Sequence, residues 1–557
     1  MKIILYLYRR APLPLVAAII AGVISGISNT ALLALINDLV TGAGRLVSEN
    51  SQLLAYAVLC LVVVVTRLLS GFLLVRIGQR LVESLRIEMS QRIISTPLAR
   101  IEKLGSGKLL ATLTTDIGAI STGMIQVPTL AVASAIVASC MVYMVWLSWQ
   151  LFLIFLAVFA VGVVTYQVPT IMGMRRFEAA REDNDVLMER FRDLVEGFQE
   201  LKLHRLRSAD FVDQVGIVSR RLYSLTLSAM TIFIAAATWG NVLIFVVIGL
   251  LLLVAPGFFT ATPEVILGYT LALLYLMNPL QGMLTLIPML GQAAVSVHKV
   301  ESLRLSLDAG ALANSPREIG ESFGDWQHLK LDGISYLQGS GDDAFQLGPV
   351  DLTLQRGEVV FLVGGNGSGK TTLARVLMGL YEPSGGSLSL GDFEVTAQYQ
   401  DDYRQLFSAV FATPYLFETL LGLQGDGLDD RAASYLEELD LGDKVKVEEG
   451  RLSTLALSQG QRKRLALMVA YLEDRPIYLF DEWAADQDPS YREIFYTRIL
   501  PELKSRGKTV LVISHDDRYY SAADRILRLD YGKLTYDGPF ADSPYAAAQQ
   551  ARSLTAG

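Results

Sequence analysis

Gly364-Gly365-Asn366-Gly367-Ser368-Gly369-Lys370-Thr371 fits G-x-x-x-x-G-K-[ST], the phosphate-binding loop. The apolar run Val359-Val360-Phe361-Leu362-Val363 precedes it and reads as a buried strand. Helix formers follow from Thr372 through Leu380. Strand, glycine turn and helix in this order give the motif its context. Gly364, Gly367 and Gly369 let the backbone wrap phosphates, and the helix N-terminus directs free N–H groups at the anion. Lys370 would reach the β- and γ-phosphates of ATP, and Thr371 would hold Mg²⁺. Asn366, Ser368 and Thr372 belong to the same candidate nucleotide site.

The flanking composition is not that of a soluble enzyme. The 557 residues are 52% hydrophobic, and the apolar residues concentrate in the first half. The length allows about three average domains. A net charge of −8 argues against a nucleic-acid partner. The two cysteines, Cys60 and Cys140, lie in long apolar runs. They read as packing side chains rather than a disulfide or metal pair.

A bilayer core needs roughly 20 apolar residues as a helix. Six runs qualify, approximately Pro14 to Leu39, Leu53 to Val75, Val127 to Leu147, Trp149 to Val168, Leu227 to Val254 and Pro263 to Leu286. The first is too long for a cleaved signal and lacks a small-residue cleavage site. The segments after the second and fourth runs are long and basic. One carries Arg80, Arg86, Arg92, Arg100, Lys103 and Lys108; the other carries Arg175, Arg176, Arg181, Arg190, Arg192, Lys202, Arg205 and Arg207. The positive-inside rule places these segments, Lys2, Arg9, Arg10 and the C-terminal half in the cytoplasm. Both segments mix charge and apolar residues at helical spacing, which predicts helices continuing out of the membrane. Glycines at 105, 107 and 197 mark turns there, where a short helix could rest on a cytoplasmic domain.

Arg67 lies mid-span, where a charge is costly unless it faces other helices or water. Two readings stand side by side: a substrate contact, or a structural ion pair or snorkelling side chain. Asn29, Tyr166, Gln167, Trp239, Asn241, Asn278 and Gln281 are further cavity candidates. Each also reads as helix-packing glue.

The stretch 306–324 is polar and reads as a linker, dividing a membrane domain (1–305) from a nucleotide-binding domain (325–557). In the latter, strands and helices alternate as in an α/β fold. Ile477-Tyr478-Leu479-Phe480-Asp481-Glu482 is a buried strand ending in two carboxylates. Asp481 would hold the metal and Glu482 would act as general base or orient water. Val510-Leu511-Val512-Ile513-Ser514-His515 is a second apolar run, ending in a histidine. Leu457-Ser458-Gln459-Gly460-Gln461 opens a helix whose N-terminus can bind a phosphate.

These motifs together resemble the cassette of ATP-binding cassette (ABC) proteins. Leu457-Ser458-Gln459-Gly460-Gln461 resembles the LSGGQ signature, with Gln459 in place of a glycine. The resemblance implies that His515 contacts the γ-phosphate, that Tyr336 stacks on adenine, and that Asp488 belongs to the D-loop. Alone, His515 would read as a turn residue and Tyr336 as structural. Six spans followed by one cassette resembles a half-size ABC exporter, a type IV-like helical domain fused to an α/β P-loop domain. Such halves work as dimers, with ATP held between Lys370 of one chain and Ser458, Gly460 and Gln461 of the other. The segments around Asp116 and Phe198 look like those that couple the cassettes to the membrane helices.

A narrower resemblance rests on Tyr403-Arg404-Gln405-Leu406-Phe407-Ser408-Ala409-Val410-Phe411, on Asp481 through Pro489, and on Glu200-Leu201-Lys202-Leu203. These look like exporters of cyclic peptides and peptide siderophores, the pyoverdine and syringomycin type. One departure is Ala412, where most cassettes carry the Q-loop glutamine; Gln405, seven residues earlier, is unsuited to replace it. The chain starts almost at its first span, so no leader-peptidase domain is expected. The leading expectation is ATP-driven export of an amphipathic peptide-like product by a homodimer in the bacterial inner membrane, with both termini cytoplasmic. A lipid or lipopeptide flippase is the alternative within transport. An ATP-gated channel or membrane regulator is the alternative outside it.

Overall fold

The structure, a computed structural model, describes residues 12–42, 51–253, 262–308, 326–339 and 344–546. Lys2, Arg9, Arg10, most of the 255–263 loop and the 306–324 linker from residue 309 lie outside them. The chain forms two compact units, Met1–Met89 with Leu109–Leu303, and Ser90–Lys108 with Arg304–Gly557. The second unit thus takes in a short segment of the first basic loop.

The first unit, like the 90–108 segment of the second, is helical. In chain order the helices are α1 (Pro12–Thr41), α2 (Gln52–Ser95), α3 (Leu98–Leu104), α4 (Ser106–Ala111), α5 (Ile117–Leu147), α6 (Trp149–Glu196), α7 (Phe198–Leu203), α8 (Arg205–Leu253) and α9 (Pro263–Asp308). Among the described residues, six stretches are long and apolar enough to cross a membrane. The first four contain the first four runs read from the sequence, and the last two, ending at Leu253 and Met283, overlap the runs Leu227 to Val254 and Pro263 to Leu286. At 1.5 Å per residue the 48 residues of α6 run about 70 Å, over twice an apolar bilayer core. The excess carries the basic residues, as expected of helices that continue beyond the membrane. There, Arg221 of α8 pairs with Asp183 of α6 at 3.0 Å.

Lipid offers helices little hydrophobic drive to associate, so close backbone approach matters. Gly26 of α1 lies against α5, where an added Cβ would sit 2.6 Å from that of Ala135 and 3.0 Å from the Ile136 nitrogen. Gly162 and Gly173 let α6 meet Leu243 and Phe233 of α8 in the same way. The last carbonyls of α5 need partners. The Tyr269 hydroxyl of α9 sits between one of them and the carbonyl of the junction residue, 2.7 Å from Met144 O and 2.6 Å from Ser148 O. Ser148 then caps α6 by accepting from Leu151 N.

Asp116, placed by resemblance in a coupling loop, instead ends a π-helical turn, Thr112–Asp116, that runs into α5. Its carboxylate accepts from Ser296 Oγ at 2.9 Å, inside the helical unit. The short helix set off by Pro97 and Gly105 is α3, which belongs to the second unit. The Phe198 segment is α7, six residues with none buried.

The second unit holds β1 (His328–Gln338), β2 (Phe345–Gln355), β3 (Val359–Val363), α10 (Lys370–Leu377), β4 (Gly385–Leu390), β5 (Phe393–Glu394), β6 (Phe407–Val410), α11 (Gln459–Glu473), β7 (Ile477–Asp481), α12 (Pro489–Ile494), β8 (Thr509–Ile513), β9 (Arg525–Asp530) and β10 (Lys533–Pro539). One sheet is antiparallel, in the order β2-β1-β4-β5. The other has the order β10-β9-β3-β8-β7-β6, parallel except for β10. Every residue of β3, β7 and β8 is buried. Alternate side chains feed two cores, with Phe361, Phe480 and Val512 in one and Leu362, Leu479 and Leu511 in the other. This is the period-two pattern of a parallel strand covered on both faces.

The Gly26 contact is testable. Gly26→Val should lower the melting temperature of the detergent-solubilised protein, in line with an overpacking cost of about 1–3 kcal/mol. An unchanged melting temperature would mean that α1 and α5 do not meet there.

Candidate nucleotide site and membrane cavity

In a parallel sheet all strands end at one edge, and ligands bind beyond it. Register puts Ile513 beside both Leu362 and Asp481. The P-loop, the two carboxylates and His515 therefore leave three adjacent strands at the same edge. Gly364 (φ +151) and Gly369 (φ +100) adopt backbone conformations that side chains rarely tolerate. A Cβ on Gly364 would come 2.2 Å from Leu529 O, and one on Gly369 would strike the Phe345 ring at 2.7 Å. The loop is wrapped tightly because both positions are glycine.

Lys370 is buried, and its Nζ donates to Gly364 O and Gly365 O at 3.0 and 2.9 Å. Burial pushes its pKa down, against the pull of Glu482 and Asp481. Ser368 Oγ is buried without a hydrogen-bond partner among the described residues. A buried orphan hydroxyl beside a lysine that holds only loop carbonyls suits a phosphate. Asn366 and Thr371 are exposed on the loop. Thr372 Oγ1 reaches Gln338 at 3.4 Å.

Asp481 is 6% exposed. Burial raises its pKa, Glu482 raises it further, and Arg375, Lys463 and Lys370 oppose the rise. A carboxylate so placed is short of positive charge, which fits a site for a divalent cation with Thr371. Glu482 follows at φ +51, a left-handed conformation. Its Oε1 lies 3.3 Å from His515 Nε2. The pair opens on a cavity of ≈ 310 Å³ that Arg492, Tyr496 and Arg518 also line.

Ser458 caps α11 in a reciprocal capping box: Gln461 N donates to Ser458 Oγ at 3.4 Å, and Ser458 N donates to Gln461 Oε1 at 3.1 Å. Gln459 is exposed and needs no positive φ, so its side chain is tolerated in place of glycine. Gly460 is different, since a Cβ there would meet Asp486 O at 2.7 Å. Of the two positions, only the second must be glycine. Asp488 caps α12 by accepting from Tyr491 N.

One expectation, that for Tyr336, looks different in three dimensions, and the one for Gln405 gains a physical reason. Tyr336 is 9% exposed and stacks on Tyr381, with centroids 4.9 Å apart and planes 14° apart. In this arrangement it is a core ring, and adenine stacking would need it to turn outward. Tyr381 donates to Glu102 of α3 at 2.6 Å, and Arg375 pairs with Glu102 at 3.1 Å. Gln405 precedes β6, whereas the site lies past the other ends of the parallel strands. It binds Arg475 at 3.1 Å, so it cannot stand in for a glutamine at Ala412.

A second cavity, of ≈ 250 Å³, lies among α6, α8 and α9. Its walls are mostly apolar, including Phe155, Phe159 and Met277, with Tyr166, Gln167, Asn241 and Gln281 among them. Four of the polar candidates thus converge. Asn29 binds Ser25 O of its own helix, and Trp239 binds Thr165. Arg67 is exposed on α2 and, like Asn278, is not among the cavity's lining residues.

Residues 13–280 match the family described as "ABC transporter transmembrane region", and residues 347–485 match "ABC transporter". The chain is 35% identical over 536 residues to "ATP-binding protein SyrD" of Pseudomonas syringae pv. syringae, covering 93% of each. The chain belongs to the ABC transporter family. It is a half-size ABC exporter, an ATP-binding and ATP-hydrolysing multi-pass protein of the inner membrane. It is also 27% identical to an "ATP-dependent lipid A-core flippase" of Alkalilimnicola ehrlichii, over 85% of this chain and 82% of the relative. A bacterial Atm1-family ABC exporter with ATP bound shares the fold, with a TM-score of 0.73 and 18% identity over 98% of each chain.

Several ABC residues were not singled out from the sequence. Lys463, Trp483, Asp486 and Gln487 join α11 to the turn after β7. Arg462-Lys463-Arg464 looks like a solvated basic run, yet Lys463 and Arg464 are both buried. A tryptophan directly after Glu482 was the available signal.

Asp481 also sets up a pH test. Its raised pKa means the ionised form detracts from stability. That deficit is full above the raised pKa and vanishes below the ordinary aspartate range, where folded and unfolded states are both protonated. Asp481→Asn should therefore melt higher than wild type near neutral pH without nucleotide, and the gap should close towards about pH 4. A gap independent of pH would refute this origin.

Proposed function

We propose that this ABC exporter works as a homodimer that moves an amphipathic, peptide-like product out of the bacterial cytoplasm by alternating access, the product being a cyclic peptide or peptide siderophore. The observation that carries this reading is the apolar cavity bearing Tyr166, Gln167, Asn241 and Gln281. Its apolar wall suits lipophilic side chains, and its amides suit peptide groups, the usual division of labour in a ligand pocket. At ≈ 250 Å³ it would take one limb of such a molecule. The motif resemblance to cyclic-peptide and siderophore exporters supports the same class.

In the proposed cycle ATP lies between Lys370 of one protomer and Ser458 of the partner subunit, with Gly460 keeping that helix start close to the D-loop. Thr371 and Asp481 would hold Mg²⁺, which would offset phosphate charge. Glu482 takes the proton of the attacking water, and His515, 3.3 Å away, holds Glu482 in place and faces the γ-phosphate. Binding closes the cassettes and hydrolysis reopens them, shifting the membrane helices between two populations. The cassette and both termini face the cytoplasm, an orientation that the positive charge of the long loops supports.

A lipid or lipopeptide flippase is the second reading. The strongly apolar cavity wall and the flippase relative favour it.

ATPase assays in lipid test both readings. Glu482→Gln should bind ATP and lose roughly 10²–10⁴-fold of its turnover; near-normal hydrolysis would remove Glu482 from its role. Stimulation of wild type by cyclic peptides, and not by added lipid, would favour the peptide reading; the reverse would favour the flippase. Replacing Asn241 and Gln281 together by leucine should abolish stimulation while sparing basal hydrolysis. Arg67→Ala should leave both intact, and a selective loss of stimulation in that variant would return Arg67 to the substrate path.

A further inference from the structure

We propose that Lys463 is a positioning residue for ATP hydrolysis, holding the backbone turn that carries Glu482 and tying it to the start of α11, an inference that rests on Glu482 as the water-activating group. A non-glycine residue in the left-handed region persists only where its surroundings over-determine it. At Glu482 both backbone polar groups are engaged. Its N–H donates to Ile513 O at 3.0 Å, at the end of β8. Its carbonyl accepts from Lys463 Nζ at 2.7 Å. The first contact is a feature of the sheet. The carbonyl also accepts from Ala485 N at 3.3 Å within the turn, so the Lys463 contact is the shorter one and the one that reaches it from another element.

Lys463 is 1% exposed. An ammonium at that depth needs charge and hydrogen-bond partners. Asp486 supplies the charge, with Oδ2 2.6 Å from Nζ. The Lys463 backbone holds the same turn from another direction, because its carbonyl accepts from Trp483 Nε1 at 3.0 Å. The Trp483 ring is in turn stacked on Phe495, at 4.6 Å. Glu482, Trp483 and Asp486 are thus all gripped by one residue of α11.

Further along, Gln487 Nε2 donates to Gly460 O at 3.1 Å, and Arg492 donates to Gln487 O at 3.3 Å. The turn from Glu482 to Gln487 is therefore fastened to the first turns of the helix that Ser458 caps. A shift of that helix start is carried through Lys463 to the backbone of Glu482. The carboxylate, 40% exposed, is met by His515 at 3.3 Å at its outer end, and its direction is set from the backbone end. Its aim at water depends on the peptide group beneath it.

The test uses the full-length protein in lipid, with Lys463→Met, Glu482→Gln and their combination. Methionine keeps the stem and removes the donor. Lys463→Met should lower kcat by roughly 10–100-fold, the scale of a small misplacement of a catalytic group. KM for ATP and the binding of a fluorescent ATP analogue should stay within about threefold, since the Lys463 ammonium bonds to the turn after β7 rather than to the P-loop. Added to Glu482→Gln, it should cause no further loss, because residues acting as one unit are not additive.

A normal kcat in Lys463→Met, or losses that multiply in the combined variant, would overturn the proposal. So would a lowered melting temperature with unchanged kcat per folded molecule, which marks a merely structural lysine. Asp486→Asn gives the same test in milder form if Lys463→Met does not fold. It loosens the lysine head, and should lower kcat by a smaller factor with the same non-additivity; unaltered turnover there would overturn the clamp. Wild-type-like turnover of Glu482→Gln alone would overturn the base assignment first, and the role of Lys463 with it.

Discussion

Parallel pairing of β3, β8 and β7 is the constraint on which the nucleotide site depends. Parallel strands share one direction, so the loops leaving them gather at one edge. Ile513 lies in register with Leu362 on one side and Asp481 on the other. A slip of one residue on β7 would turn Tyr478 and Phe480 into the opposite core and withdraw Asp481 from the edge. Complete burial of the three strands makes such a slip expensive. The core thus secures the placement of Lys370, Asp481, Glu482 and His515 more firmly than any contact among those side chains.

The helical unit obeys a different constraint. Inside a bilayer each backbone group must be satisfied within its own helix, which allows long uninterrupted helices and little else. The same continuity carries α6 and α8 beyond the membrane as one paired rod, with Gly162 and Gly173 allowing close contact and Asp183–Arg221 beyond the apolar stretch. A cavity among such rods is lined by whichever faces are left after packing. Tyr166, Gln167, Asn241 and Gln281 come from three helices and converge through packing alone.

Stability and function conflict at a few points in the cassette. The pKa of Asp481 is raised by burial and by Glu482. Lys370 is desolvated over its own loop. Glu482 occupies a left-handed backbone conformation. Each is unfavourable in the folded chain by itself. A bound phosphate would favour the charged form of Lys370, and a divalent cation would favour the carboxylate of Asp481. Strain and exposed chemistry are expected together at such sites.

The amino-acid sequence by itself determined the six spans, the helices that extend beyond the apolar stretches, the α/β cassette and the positions of its phosphate and carboxylate motifs. These are local matters: apolar length, period-two burial, glycine where φ must be positive, and charge sign along loops. It also marked Gln459 as a departure, though not why it is harmless. Only tertiary structure decided that Gly460 is the sterically required glycine, because Asp486 O approaches it from another segment. Only tertiary structure decided that Gln405 lies at the wrong edge, that Asp116 binds Ser296 and that Tyr336 is a core ring. It also turned the basic run at Lys463 and Arg464 inward, where long-range partners meet each charge. Pairings across tens of residues depend on register and packing, and no spacing within one segment encodes them.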